Sequence, residues 1–128
     1  MALVVLDASV VIAHLNREDA LHERATEALR HHADDDLRLP ASAYAEVLVD
    51  PARRGRLDDV QNVMGTLRLK VEHIDARVAE RAAELRARHE AIHLPDALVL
   101  ACGDVLEADA VLSADHNWRR FPRVRIVG

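Results

Sequence analysis

Short apolar runs alternate along this chain with longer stretches in which apolar residues recur every three or four positions. Residues 2–6, Ala-Leu-Val-Val-Leu, form a continuous apolar run of strand length, as expected for a strand buried on both faces of a parallel sheet. Ser9 to Leu15 reads as a short helix. From Asp19 to about His32, Leu21, Ala25 and Leu29 fall at four-residue spacing, which predicts an amphipathic helix with a charged outer face. The polar run Ala33 to Asp36 ends it. Leu37 to Leu39 predicts a short strand, and Pro40 to Ser42 starts a helix that contains Glu46 and runs to about Val49. Asp50-Pro51 predicts a break or bend there.

A helix follows over Leu57 to Leu67 and a strand over Leu69 to Ile74. Val78, Ala82 and Leu85 then lay one apolar stripe along a helix from Ala76 to about Ala91, and Leu94-Pro95-Asp96 opens another that continues through Leu106. Ala110 to Leu112 predicts a short buried strand, Ser113 to Phe121 a polar loop, and Val124 to Val127 a closing strand. There are no repeats, linkers or low-complexity segments. Strands alternating with helices over 128 residues predict one α/β domain spanning 1–128, with a mainly parallel central sheet flanked by helices. In such a sheet, ligands bind at the carboxyl ends of the strands.

Composition adds constraints on partners and compartment. The formal net charge of -5 argues against a general nucleic-acid coat, whose affinity comes from neutralised phosphates, but leaves a nuclease open because bound cations cancel acidic charge locally. The basic residues are clustered: Arg53, Arg54 and Arg56 form one group, and Arg119, Arg120, Arg123 and Arg125 another. The one cysteine, Cys102, permits no internal disulfide, and the apolar run ending at Asp7 is too short for a signal peptide or a membrane span. The expectation is a soluble cytoplasmic protein that does not engage a membrane.

Four carboxylates are candidates for chemistry, and each has an ordinary alternative role. Asp7 ends the first predicted strand, where it serves either as a helix N-cap or as part of a site. Glu46 lies in an otherwise apolar helical stretch, on a solvated face or turned toward a site. Asp96 follows Pro95 at a helix start, where the helix dipole favours an acid in any case. Asp115 follows a strand in Leu-Ser-Ala-Asp, as an ordinary loop acid would. If these four meet, their mutual repulsion raises their pKa values and destabilises the fold unless a cation binds. A hard divalent ion, Mg²⁺ or Mn²⁺, is the matching cofactor, and such a site suits phosphodiester hydrolysis. Zinc is disfavoured, since the eight histidines show no ligand spacing. Ser9 and Ser113, each two residues from one of the acids, either orient a carboxylate or form caps and turns. Cys102 and Met64 read as core, and Trp118 and Phe121 pack over a sheet edge or stack on a base, packing being favoured.

The combination of VVLDASVV, a helical Ala-Glu-Val, LPDALVLA and VLSAD with an aromatic soon after resembles a PIN-domain ribonuclease of the VapC toxin type, over essentially the whole chain. The resemblance implies a PIN-like three-layer fold and an acidic quartet of Asp7, Glu46, Asp96 and Asp115. It makes Asp7 and Asp96 direct Mg²⁺ ligands, with Glu46 and Asp115 holding metal through water or positioning the nucleophile. It further implies endonucleolytic RNA cleavage that inhibits translation, a homodimer, and a cognate VapB-type antitoxin that covers the acidic site. Asn117 stands where some members carry another acid, which removes one ligand for a second metal.

Three other readings compete with this one. A receiver domain needs a lysine at the end of a late strand, and Lys70 lies at the start of one. A haloacid-dehalogenase phosphatase needs a second aspartate two residues after the first, where Ser9 stands. An RNA- or partner-binding module of the same fold, without turnover, remains open at the level of sequence.

Overall fold

A computed structural model describes all 128 residues. Five strands, β1 (Leu3–Leu6), β2 (Asp36–Pro40), β3 (Lys70–Glu72), β4 (Ala110–Ser113) and β5 (Val124–Ile126), form one sheet in the order β3-β2-β1-β4-β5. Every pairing is parallel. Six α-helices connect them: α1 (Ala8–Leu15), α2 (His22–His31), α3 (Ala41–Arg53), α4 (Leu57–Thr66), α5 (Ala76–Arg88) and α6 (Leu94–Val105). None is long and apolar enough to cross a membrane.

The middle strands explain the first apolar run. Val4, Val5 and Leu6 on β1 are completely buried, as are the inner residues of its neighbours β2 and β4, so a continuous apolar sequence is what a central parallel strand requires. From β1 the chain builds outward through β2 to β3, then crosses back to place β4 on the other side of β1. Right-handed crossovers then put α1 to α4 on one face of the sheet and α5 with α6 on the other. The reversal falls between β1 and β4, and that is where a doubly wound sheet opens a crevice at its carboxyl edge.

Several element boundaries differ from the sequence reading. The helix expected from Asp19 begins at His22, because the Asp19 carboxylate accepts the Leu21 amide at 2.8 Å and keeps the preceding residues in turns. Asp50-Pro51 does not end α3, which continues to Arg53. In the last turn Pro51 forfeits one helical hydrogen bond, while the Arg54 amide donates to the Asp50 carbonyl and the Arg56 amide to Pro51, closing the end. The strand predicted over 69–74 shortens to Lys70–Glu72, and the polar loop contains a 3₁₀ turn, His116–Arg120.

The α5–α6 layer lies close against the sheet at Gly103. A Cβ built there would fall 2.5 Å from Val111 Cγ2, so α6 approaches β4 only because position 103 lacks a side chain. Gly103→Ala is therefore expected to destabilise the fold by about 1–3 kcal/mol through overpacking. Val111→Ala should offset part of that loss in the double variant, a coupling measurable by urea unfolding; strictly additive effects would show that the contact is not the cause.

Candidate active site

Pairing of Leu6 with Leu112 sets the next residues, Asp7 and Ser113, side by side at the carboxyl edge of the switch point. The Asp7 amide donates to the Leu112 carbonyl at 2.9 Å, which fixes its backbone there. Asp7 occupies the N-cap position of α1, yet its side chain makes no capping hydrogen bond. Instead the Ser9 hydroxyl donates to Asp7 Oδ2 at 2.7 Å and the Ser113 hydroxyl donates to the same oxygen at 3.0 Å. The two hydroxyls are themselves held, since Ser9 Oγ accepts the Ala114 amide and Ser113 Oγ accepts the Asp115 amide, each at 3.0 Å. Both serines thus orient the carboxylate through Oδ2.

The other three acids arrive from different elements. Asp115 lies two residues past the end of β4; its Oδ1 accepts the Asn117 amide at 2.9 Å, so it caps the 3₁₀ turn as well as acting on the Asp7 carboxyl. Asp96 is the third residue of α6, and its carboxyl feels the charges of Asp7 and Asp115. Glu46 lies one turn into α3; its side chain is solvent-exposed, and it still interacts with Asp7 and Asp96. A solvated face and a place at the site therefore coincide for Glu46.

These carboxylates are held at an electrostatic disadvantage. Burial pushes the Asp7 carboxyl above its ordinary value, and Asp115 adds to that rise against the lowering effect of Ser9, Ser113 and the Ala8 amide. Burial raises Asp96 as well, with Asp7 and Asp115 adding to it, and desolvation raises Glu46 together with Asp7 and Asp96. No lysine, arginine or histidine forms an ion pair with any of the four. The acids are near enough to feel one another, but no three His, Cys, Asp or Glu side chains are gathered as a ready ligand set. That openness does not fit a structural zinc cage. It fits a hard cation such as Mg²⁺, which takes one or two carboxylates and keeps several waters.

Two features escaped the sequence reading. His93, three residues before Asp96, occupies the N-cap of α6 and offsets part of the rise in the Asp96 pKa; the signal was the three-residue spacing of a capping pair. Ser42 Oγ, four residues before Glu46 on α3 and so on the same helical stripe, is buried with no hydrogen-bond partner. No sequence signal marks an unpaired hydroxyl. Trp118 packs in the core, as do Cys102 and Met64.

The PIN domain family model matches residues 4–124. Solved structures share the fold at low identity. A toxin–antitoxin complex from Klebsiella pneumoniae is similar with a TM-score of 0.83 and 19% identity, covering 98% of each chain. The Mycobacterium tuberculosis toxin VapC20, described as cleaving the sarcin–ricin loop, gives a TM-score of 0.78 and 22% identity over 98% of this chain and 99% of that one. VapBC2 of Rickettsia felis, bound to a promoter DNA fragment, gives 0.78 and 14% over 97% and 96%. No curated protein matches the chain in sequence.

The raised pKa values set the sign of a pH effect. Ordinary values are 3.8 for Asp and 4.5 for Glu, so as pH rises above these the folded chain retains protons that the unfolded chain has released. In chelator, stability contributed by these acids is full at low pH and falls as pH climbs through the raised values. Asp7→Asn should remove much of this fall and leave Tm at neutral pH in EDTA unchanged or higher, followed by thermal melts across pH. A sharply lowered Tm in that variant would return Asp7 to the role of cap.

Proposed function

The chain belongs to the PIN-domain family, and from that membership we propose that it is a divalent-metal-dependent endoribonuclease, the toxin of a toxin–antitoxin pair. The observation that carries the proposal is the set of four carboxylates, from β1, α3, α6 and the end of β4, without a cationic partner at the switch point of a parallel sheet. A protein that keeps acids with raised pKa values together, at a cost to its own stability, has a use for what binds them.

Asp7 and Asp96 are the residues that would hold Mg²⁺ or Mn²⁺ directly, with Glu46 and Asp115 acting through water. When bound, the ion supplies a more acidic water and neutralises charge building on the phosphate. The chain's own contribution is orientation. Ser9 and Ser113 both donate to Oδ2 of Asp7 and so fix the plane of its carboxylate. Asp115 is held by Asn117 on one oxygen, which leaves its second oxygen available. Glu46, exposed and raised in pKa, would take a proton from water near the scissile phosphate.

The same acids define the partner. A cognate antitoxin of the VapB type would silence the site by covering it and presenting a cation to the quartet, and the solved relatives described as toxin–antitoxin complexes support a protein partner of that kind. A homodimer and a cytoplasmic location complete the proposal. RNA would approach across Arg53 at the end of α3 and Arg119 in the 3₁₀ turn, both solvent-exposed.

Incubation of the partner-free protein with a panel of RNAs should give cleavage with Mg²⁺ or Mn²⁺ and none in EDTA. Asp96→Asn should lower the rate by more than roughly a hundredfold, beyond the usual loss for a residue that only orients a ligand. Cleavage that survives EDTA and the substitution marks a contaminant, and no cleavage of any RNA overturns the proposal in favour of a binding module. Arg53→Ala or Arg119→Ala should weaken RNA binding and reduce the salt slope by about one each, while sparing Mg²⁺ affinity. Unchanged binding in both would refute that path.

A further inference from the structure

A second feature of the molecule lies on the α5–α6 side of the sheet. Between α5, α6, β5 and the end of the 3₁₀ turn is a cleft of about 750 Å³, within the range of small-ligand sites. It is lined by four arginines and two aspartates, in a chain whose overall charge is -5. Both aspartates are already engaged. Asp104 Oδ2 lies 2.9 Å from Arg81 Nε and Asp104 Oδ1 lies 3.4 Å from Arg123 Nε, while Asp109 Oδ2 accepts the Leu3 amide at 2.8 Å. Arg123 also donates to the Ala108 carbonyl.

Arg88 and Arg120, by contrast, have no carboxylate partner. The Arg120 guanidinium lies 5.3 Å from the centre of the Phe121 ring, and the His89 ring meets Phe121 edge-on at 5.1 Å. One wall therefore combines two uncompensated guanidiniums, whose planar forks match phosphate oxygens, with aromatic and guanidinium planes on which a base can stack. Arg88 ends α5 six residues before α6 opens at Leu94, and Arg120 closes the 3₁₀ turn that starts beside Asp115, whereas the Arg81–Asp104 pair marks the far end of the cleft.

We infer that this cleft binds a nucleotide, through its phosphate at Arg88 and Arg120 and its base at Phe121. The same chemistry is offered by a free mononucleotide and by one unit of an RNA strand. An acidic peptide would satisfy the guanidiniums but leave the aromatic plane unused. The inference does not depend on the chain cutting RNA, because neither arginine touches the acidic quartet.

Binding in EDTA, where the acids cannot hold phosphate through a metal, isolates the cleft. Isothermal titration of the whole protein with adenosine 5′-monophosphate, inorganic phosphate, a short single-stranded RNA and a glutamate-rich peptide should show saturable binding of the mononucleotide or the RNA. Arg88→Ala combined with Arg120→Ala should weaken it by about tenfold or more. Arg30→Ala, on α2 across the sheet, should leave it unchanged. Phe121→Leu should weaken the nucleotide but not inorganic phosphate. Mononucleotide binding identifies a free-nucleotide site, and binding of RNA alone identifies a strand subsite. No binding of either, equal binding of the peptide, or affinity untouched by the double variant would overturn the inference. If the double variant does not fold, each single substitution should still cost about threefold.

Discussion

Asp7 is a carboxylate only 9% exposed, held by two hydroxyls and by no positive charge, and the arrangement around it exists to tolerate that fact. A buried acid without a cation is costly in a low-dielectric surrounding. The chain meets the cost in two ways: protons stay on the carboxyl at higher pH than usual, and hydroxyl dipoles stabilise the charge that forms. Those hydroxyls can do so only because backbone amides from the loop after β4 fix them in turn. Removal of one strand pairing would therefore disperse the site as surely as removal of the acid.

The strain is local, and the surrounding core is rigid enough to carry it. Thirty-two buried apolar residues form one continuous cluster that includes the inner residues of β1, β2 and β4, both sheet-facing helix layers and Trp118. Close packing at Gly103 and Val111 leaves α6 little room to slide, which keeps Asp96 at its station relative to Asp7. The arginine-rich side of the same layer gives the molecule a pronounced charge asymmetry.

The sheet was legible in the order of apolar runs, because a central parallel strand needs both faces apolar and few sequences meet that by accident. Three of the four candidate acids stood out at strand ends and helix starts, with Glu46 inside a helix, although each also had a local reading at least as good. Two of those local readings coexist with nearness to the other acids: Asp115 caps a turn and raises the Asp7 pKa, and Glu46 is solvated yet feels Asp7 and Asp96. The N-cap reading of Asp7 failed at the side chain, since the hydroxyls of Ser9 and Ser113 outcompete the helix amides for its oxygen. Pro51 and the Asp19 turn were misplaced because one lost hydrogen bond at a helix end, or one gained by a side chain, lies below what periodicity can resolve.

Sequence by itself determined the α/β class, the strands and helices, and which residues carry carboxylates and guanidiniums, because apolar periodicity and residue chemistry are local properties. Tertiary structure alone decided that Leu6 pairs with Leu112, that Asp7 consequently stands beside Ser113, and that Ser42 is left buried without a partner. It also decided which arginines are neutralised and which remain free. Desolvation and charge coupling depend on distances between residues as far apart in the chain as Asp7 and Asp115, and only the closed sheet sets those distances.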